Sequence, residues 1–324
     1  MSIVIISSEQ DASTDDVIGW IRHYGKIFYR INETSAVSVV SIDIAIKNKL
    51  FIEMDDQRID LDEIDSFWYR RDNFAVTLPA VAIKRNFPFK KEIELNLQYE
   101  KKRINEYIHF KLLQKRSIGS YFRTNINKLI TLEVAREVGI SVPRTLVTTR
   151  KRELAKFREN NKDIICKAIS EAIHIGDINF GYIYNYTHVL SDSSFDKLNE
   201  TFPLSLFQNK IDKEYELRIF YLNGDFYTMA IFSQSDTQTS VDFRRYNSEK
   251  PNRTVPYTLP PAIKERLAEL MNRIGLNTGS IDMAVSQNKE YVFFEVNPIG
   301  QFGMTSYPCN YYLEKKIAEY LINE

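Results

Sequence analysis

The sequence has little cysteine, little histidine and no net charge. Its 324 residues include 2 cysteines and 4 histidines, and 43 basic side chains balance 43 acidic ones. Cys166 and Cys309 are far apart and neither lies in a C-x-x-C pair, so we expect no disulfide framework or structural zinc site. A reducing cytoplasm fits this cysteine usage best. The balanced charge provides no general attraction to nucleic acid, although it leaves a local basic patch open.

Long apolar runs are missing as well. No stretch approaches the roughly 18–20 apolar residues that a membrane-spanning helix needs, so we expect no membrane partner. Met1–Ser8 has no basic region and only a short apolar stretch, which is typical of a first strand and not of a signal peptide. The chain is 44% hydrophobic and 27% charged, a balance that excludes a disordered protein.

Strand and helix patterns alternate through most of the chain, which predicts an α/β fold. The pattern starts afresh after residue 116, so we place a first domain boundary there. Before it, Glu53–Asp65 is acidic and Lys84–Arg116 is basic. The acidic run is typical of a solvated turn region. The basic run is either the wet face of a connecting helix or a docking surface for an acidic peptide or phosphates.

The final hairpin carries the strongest chemical signal. If its turn is Asn288-Lys289, then Asp282 lies directly across from Glu295, with Cβ atoms ~5 Å apart. Asn297 shares their face because side chains alternate along a strand. Two carboxylates and an amide oxygen are hard ligands of the kind that hold Mg²⁺. The alternative is a pair of exposed acids on an edge hairpin.

Two lysines fit a phosphate site. Lys128 opens a helix after a turn, and Lys167 follows the apolar residues Ile164, Ile165 and Cys166 in a strand. Desolvating an ammonium group inside a strand needs a partner charge, which a nucleotide phosphate would supply. The alternative interpretation is that Lys167 lies on an edge strand and extends its ammonium group to solvent.

A polar hinge follows Leu206-Phe207 and leads into a strand that carries Glu216 and Arg218 on one face. Such a hinge can present backbone N–H and C=O groups to an adenine edge, and Glu216 could take the ribose hydroxyls. Arg218 could neutralise charge at a transferring phosphoryl group.

In this order, over about residues 117–324, these features resemble the ATP-grasp superfamily of carboxylate–amine and carboxylate–alcohol ligases. Glu216-Leu-Arg218 and Phe294-Glu-Val-Asn-Pro298 are similar to the subgroup that includes the ribosomal-protein glutamate ligases. Phe67-Trp-Tyr-Arg-Arg71 and Asn297-Pro-Ile-Gly-Gln301 resemble the peptide macrocyclases that make graspetides, in the "grasp-with-spasm" group related to the microviridin ligases. With these motifs the resemblance extends over nearly the whole chain.

The resemblance implies an α/β ATP-grasp fold of three parts: an N-terminal α/β pre-domain (1–116), a central subdomain (117–205) and a C-terminal antiparallel-sheet subdomain (206–324). ATP would bind between the central and C-terminal subdomains. Nucleotide contacts are then expected from Lys128 and Lys167 at the phosphates, Gln208, Asn209 and Ile211 at the adenine, and Glu216 at the ribose. Asp282, Glu295 and Asn297 would hold Mg²⁺, and catalysis would fall to Arg218, Arg244 and Asp242.

The activity that the resemblance implies is ring closure within a ribosomally made precursor peptide. ATP would convert an Asp or Glu side chain into an acyl phosphate, and a Thr/Ser hydroxyl or a Lys amine would then displace phosphate. The partner would be a peptide with a leader and an acidic, Thr/Ser-rich core, and relatives are often homodimers. The leader would dock near Tyr184–Asp196, and the basic run could instead guide the acidic residues of the core. The alternatives are an intermolecular ligase that adds amino acids to an acceptor, and a nucleotide-binding module without catalysis.

Overall fold

The computed structural model describes residues 1–44, 49–79, 83, 87–170, 174–177, 181–184, 187–234 and 251–323. The predicted α/β architecture is confirmed: helices cover one parallel and one mixed sheet in the first part of the chain and antiparallel sheets in the rest. Within these ranges, no helix is both long enough and apolar enough to span a bilayer.

The N-terminal part contains two four-stranded sheets. Its elements are β1 (Ser2–Ser7), α1 (Ala12–His23), β2 (Ile27–Asn32), β3 (Ala36–Asp43), β4 (Lys49–Met54), β5 (Gln57–Asp60), β6 (Ser66–Tyr69), β7 (Ala75–Thr77), α2 (Lys90–Leu113) and β8 (Arg116–Ile118). Strands β2-β1-β6-β8 form a wholly parallel sheet, and β5-β4-β3-β7 form the other. Apolar runs such as Ile3–Ile6 are buried because a parallel sheet is covered on both faces.

Helix α1 is capped by Asp11. The side chain of Asp11 accepts hydrogen bonds from the backbone N–H groups of Ser13 and Thr14. A carboxylate at this position satisfies N–H groups that have no partner within the helix. The helix therefore starts shortly after β1, and its capping carboxylate contacts Arg70 and Arg71, which follow β6.

The central part is a small antiparallel sheet with helices on one face. Its elements are α3 (Lys128–Glu137), β9 (Thr145–Arg150), α4 (Lys151–Glu159), β10 (Ile164–Lys167), β11 (His174–Asp177), β12 (Gly181–Tyr184), β13 (His188–Val189), α5 (Asp192–Asp196) and β14 (Thr201–Asn209). The strand order is β13-β10-β14-β9, and β11 and β12 form a separate hairpin. Leu154, Ile164 and Phe207 form the core beneath α4.

The C-terminal part is a five-stranded antiparallel sheet of order β17-β16-β15-β18-β19. Its elements are β15 (Lys213–Leu222), β16 (Asp225–Phe232), β17 (Arg253–Tyr257), α6 (Pro261–Arg273), β18 (Thr278–Ser286), β19 (Tyr291–Asn297), α7 (Gly303–Cys309) and α8 (Leu313–Ile322). One face packs on α6 and on α3, which joins this core through Leu132 and Ala135. Helix α8 packs against α1 of the N-terminal part through Leu313, Ile317 and Leu321.

Candidate active site

Two acidic side chains face each other on the C-terminal sheet. Asp282 of β18 pairs directly with Glu295 of β19, as predicted, and Ser280 pairs with Asn297. Their neighbours Ile281, Met283 and Val296 point into the core beneath α3 and α6. The two carboxylates and Asn297 therefore share the face that lies away from these helices.

A β-bulge brings about this pairing. The hairpin closes one residue differently from the predicted Asn288-Lys289 turn, since the N–H of Ser286 donates to the carbonyl of Glu290 at 2.9 Å. Met283 then pairs with Phe293 while Asp282 pairs with Glu295, so Phe294 is an extra residue in β19. If β19 were a regular strand without the bulge, Glu295 would share the face of buried Phe293 and would point into the apolar core.

Asp282 forms a buried ion pair with Arg218 of β15. The Arg218 Nη1 atom donates to Asp282 Oδ1 at 2.6 Å, and the two side chains are only 10% and 11% exposed. The Nε of Arg218 is buried and has no hydrogen-bond partner among the described residues. A buried guanidinium N–H without a partner is costly, and an anionic ligand at this face would satisfy it.

Glu295 is paired with the lysine that opens α3. The Nζ of Lys128 lies 2.8 Å from Glu295 Oε2, and both side chains are partly buried, at 18% and 20% exposure. Asn127 caps the helix by accepting from the N–H of Leu129, which fixes Lys128 in the first turn. A cation therefore sits against each of the two carboxylates, and the four charges on this face balance.

Asn297 organises the loop that follows β19. Its side-chain oxygen Oδ1 accepts from the backbone N–H groups of Ile299 at 3.0 Å and Gly300 at 3.2 Å. These two bonds occupy the oxygen that would bind a metal ion. Coordination by Asn297 therefore requires that the side chain turn away from its own loop.

Glu216 lies two residues before Arg218 on the same face of β15. Its Oε1 accepts from Lys213 Nζ at 2.9 Å and from Ser233 Oγ at 2.8 Å. Burial raises the pKa of Glu216, and the nearby charge of Asp282 adds to this effect, while Lys213 and Ser233 act in the opposite direction. Neither Lys213 nor Ser233 was identified from the sequence, although a lysine three residues before a buried acid was a usable signal.

The central sheet contributes a second set of groups on one face. Lys167 pairs with Leu206 and Ile165 pairs with Gln208, so Lys167 and Gln208 lie on the same side, opposite the α4 core. Lys167 is the last residue of β10 and is half-buried, whereas the sequence had suggested a mid-strand position. Its desolvation is consequently smaller than expected.

Gln208 is fully buried, and its Nε2 donates to Thr145 Oγ1 at 2.9 Å. Its Oε1 is buried without a hydrogen-bond partner among the described residues. An exocyclic amino group, such as that of adenine, is the kind of donor that this oxygen lacks. The side chain of Gln208 thus fits the role expected of it.

Asn209 and Ile211, the other predicted hinge residues, face away from the side on which Gln208 lies. Asn209 Oδ1 accepts from the N–H of Arg144 at 2.7 Å, which ties the segment between α3 and β9 to the end of β14. Asn209 and Ile211 line an open cavity of about 810 Å³ behind the hinge, together with Arg144 and Lys162. With the Asn209 side chain so occupied, any adenine contact from this residue would come from its backbone.

The structure brings most of the predicted site residues onto two sheet faces. Asp242 and Arg244 lie outside the described residues, as do residues 185 and 186 of the predicted leader-docking segment. In the part of the chain that is described, no three His, Cys, Asp or Glu side chains form a group that could hold a metal ion. The candidate donor set is therefore two carboxylates plus an amide. Its hard oxygens fit Mg²⁺, and the unpaired atoms of Arg218 and Gln208 fit a nucleotide.

Comparison with known proteins places this geometry in a family. The MvdD pre-ATP grasp domain model matches residues 2–101. The macrocyclase MdnC of Microcystis aeruginosa MRC, solved bound with precursor peptide MdnA, is 28% identical with a TM-score of 0.77, and the match covers 100% of both chains. No curated protein matches.

Two further solved structures share the whole architecture. A Chryseobacterium gregarium RiPP-associated ATP-grasp ligase, in complex with ADP and a leader and core peptide, is 25% identical with a TM-score of 0.79, covering 99% of this chain and 96% of that one. The macrocyclase MdnB of Microcystis aeruginosa MRC is 21% identical with a TM-score of 0.71, covering 100% and 99%, and it supports the fold alone. The predicted ATP-grasp fold is thereby confirmed, and the chain is an ATP-grasp ligase that resembles the macrocyclase MdnC over its whole length.

Proposed function

We propose that this chain is an ATP- and Mg²⁺-dependent macrocyclase of a ribosomally made precursor peptide. The observation that carries the proposal is the opposed pair Asp282 and Glu295, flanked by Arg218 and Lys128 on one sheet face. Full-length similarity to a macrocyclase and to a peptide-bound, ADP-bound ligase supports the substrate class and the nucleotide.

The chemistry follows from the low reactivity of a carboxylate. An Asp or Glu side chain of the peptide attacks the γ-phosphorus of ATP, the bond to the bridging oxygen breaks, and ADP leaves. A Thr or Ser hydroxyl then attacks the acyl phosphate, loses its proton and expels phosphate to form an ester; a Lys amine would form an amide. The peptide loses one water for each ring.

The residues of the chain have distinct tasks in this scheme. Asp282 and Glu295, with Asn297 after rotation, would hold Mg²⁺, which when bound neutralises charge on the transferring phosphoryl group. Arg218 would donate its unpaired Nε–H to a phosphoryl oxygen, and Lys128 and Lys167 would hold phosphates. Lys128 pairs with Glu295 here, so nucleotide and metal would replace this contact with one to each side chain.

Gln208 and the hinge backbone would bind adenine, and Glu216 would bind ribose through the oxygen opposite its Lys213 bond. Asp242 and Arg244 would contact the peptide carboxylate or the acyl phosphate. The leader would dock near Tyr184–Asp196. Docking of the leader holds the core peptide at the site at a high effective concentration, which favours ring closure.

The test uses one substitution at two places of the same hairpin. Glu295→Gln keeps the shape and removes the charge, so we expect turnover to fall at least ~10²-fold while peptide binding is retained. Glu290→Gln is the matched control, because Glu290 is exposed at the other end of β19. Intact turnover in Glu295→Gln contradicts the metal assignment. A gain of amino-acid mass by an acceptor in place of water loss identifies an intermolecular ligase.

A further inference from the structure

The Phe67–Arg71 motif has no part in the chemistry described so far. Its first residues form the buried strand β6, and Arg70 and Arg71 follow at the carboxyl end of this strand. In the sheet order β2-β1-β6-β8, the chain passes from β1 to β2 on one side and from β6 to β8 on the other. In open α/β sheets, functional groups lie at the carboxyl ends of two neighbouring strands that are connected in this way. Arg70 is only 3% exposed, so its charge must be met by other groups.

Arg70 spans from the N-terminal part to the loop after Asn297. Its Nε lies 3.1 Å from Asp11 Oδ2, and its Nη2 donates to Ser13 Oγ at 3.2 Å. Its Nη1 donates to the carbonyl of Gly300 at 3.0 Å and also to that of Ile299. The guanidinium is thereby shared between the start of α1 and a loop about 230 residues later in the chain.

The two residues whose carbonyls Arg70 binds are the same two whose N–H groups bind Asn297 Oδ1. On its other side the loop is pressed against β18. Gly300 has a φ of +46°, and a Cβ built there would lie 2.9 Å from the backbone nitrogen of Ser280. The loop is consequently fixed between Arg70 and the strand that carries Asp282.

Asp11 fixes Arg70 in turn. It caps α1, and its Oδ2 also lies 2.8 Å from Arg71 Nε. Burial alone would raise the pKa of Asp11, but Arg70, Ser13, Arg71 and the N–H of Thr14 together hold this pKa below its usual value. Asp11 is therefore a charged anchor at neutral pH.

We propose that Arg70, held by Asp11, is a positioning residue for the metal site. By binding the carbonyls of Ile299 and Gly300, it fixes the loop against β18 and so holds the backbone of Asn297 next to Glu295 when the Asn297 side chain turns from the loop to the metal ion. This inference rests on the proposed function, because it assumes that these side chains hold the metal ion. Groups that orient metal ligands typically contribute 10–100-fold to metal affinity or activity.

The experiment measures metal binding directly. Mn²⁺ replaces Mg²⁺ as an EPR-visible probe, and the full-length protein is titrated in the presence of ADP. Arg70→Lys keeps a positive charge for Asp11 but cannot also reach Ser13 and two carbonyls. Its Mn²⁺ affinity should be about 10–100-fold weaker than that of the wild type.

Arg71→Lys is the matched control. Arg71 shares the partner Asp11, is 29% exposed, and makes no hydrogen bond to the 298–301 loop among the described residues. Its Mn²⁺ affinity should stay within about twofold of the wild type. If Arg70→Lys does not fold, Asp11→Asn replaces it, with the same expected direction.

The possible results separate the two proposals. Weaker affinity at unchanged stoichiometry supports a positioning role, since a merely structural defect would lower the bound fraction and leave the affinity of the folded protein intact. Equal affinity in wild type and Arg70→Lys overturns this inference and leaves the proposed function standing. No Mn²⁺ binding by the wild type with ADP overturns the metal assignment itself.

Discussion

The Arg218–Asp282 pair offers a quantitative test of the site. Asp282→Asn leaves the buried guanidinium without its carboxylate, and Arg218→Met leaves the carboxylate without its guanidinium. The pair is 2.6 Å apart and about nine-tenths buried, and removing one member of such a pair costs about 3–5 kcal/mol. Because Glu216 and Lys128 lie on the same face and compensate in part, we expect about 3 kcal/mol for each single change.

The double variant should cost far less than the two single changes combined. Removing both charges leaves a neutral amide and a thioether, so its loss should be about 3 kcal/mol, equivalent to a coupling energy of about 3 kcal/mol. The assay is urea unfolding followed by far-UV circular dichroism. Tryptophan fluorescence is unsuitable, since Trp20 and Trp68 both lie in the N-terminal part. A coupling below about 0.5 kcal/mol would refute the buried ion pair.

Three further outcomes are expected. Burial lowers the pKa of His109 to about 3, so only the unfolded chain takes up a proton on this residue between pH 6.5 and 5. The free energy of unfolding should therefore fall by about 2 kcal/mol from pH 7.5 to 5 in the wild type but not in His109→Gln. Equal pH dependence of the two proteins in calorimetry would contradict this. Gly119→Ala should lower the melting temperature much more than Gly25→Ala. Both glycines have φ near +70°, but only at Gly119 would a Cβ clash with a backbone atom, the carbonyl oxygen of Tyr69. Equal losses would show that the clash is absent. Gln208→Leu should weaken ADP binding about 5–30-fold in titration calorimetry, and unchanged affinity would remove Gln208 from the adenine site.

The sequence predicted the opposed carboxylates correctly, but for a reason that was incomplete. The assumed turn was wrong by one residue, and the extra residue Phe294 restores the pairing of Asp282 with Glu295. The apolar periodicity of β18 could indicate which face carries Asp282, because the core residues Ile281, Met283 and Val285 occupy every second position and leave Asp282 on the other face. A bulge could not be predicted, since no single residue in β19 demands one.

Contacts between distant parts of the chain were beyond prediction from sequence patterns. Nothing local couples Arg70 to Gly300, because the bond exists only once two separate parts of the fold are packed together. The same holds for Lys128 and Glu295. By contrast, capping by Asn127 and the turn at Asn223-Gly224 follow from neighbouring residues, and the structure contains both.

The central claim is tested most directly by the intact mass of acidic, Thr/Ser-rich precursor peptides incubated with the protein, ATP and Mg²⁺. The account predicts loss of whole water masses, with one ADP and one phosphate released for each water, and no such loss with Glu295→Gln. Ring formation that proceeds without ATP, or that survives Glu295→Gln at wild-type rate, would contradict it.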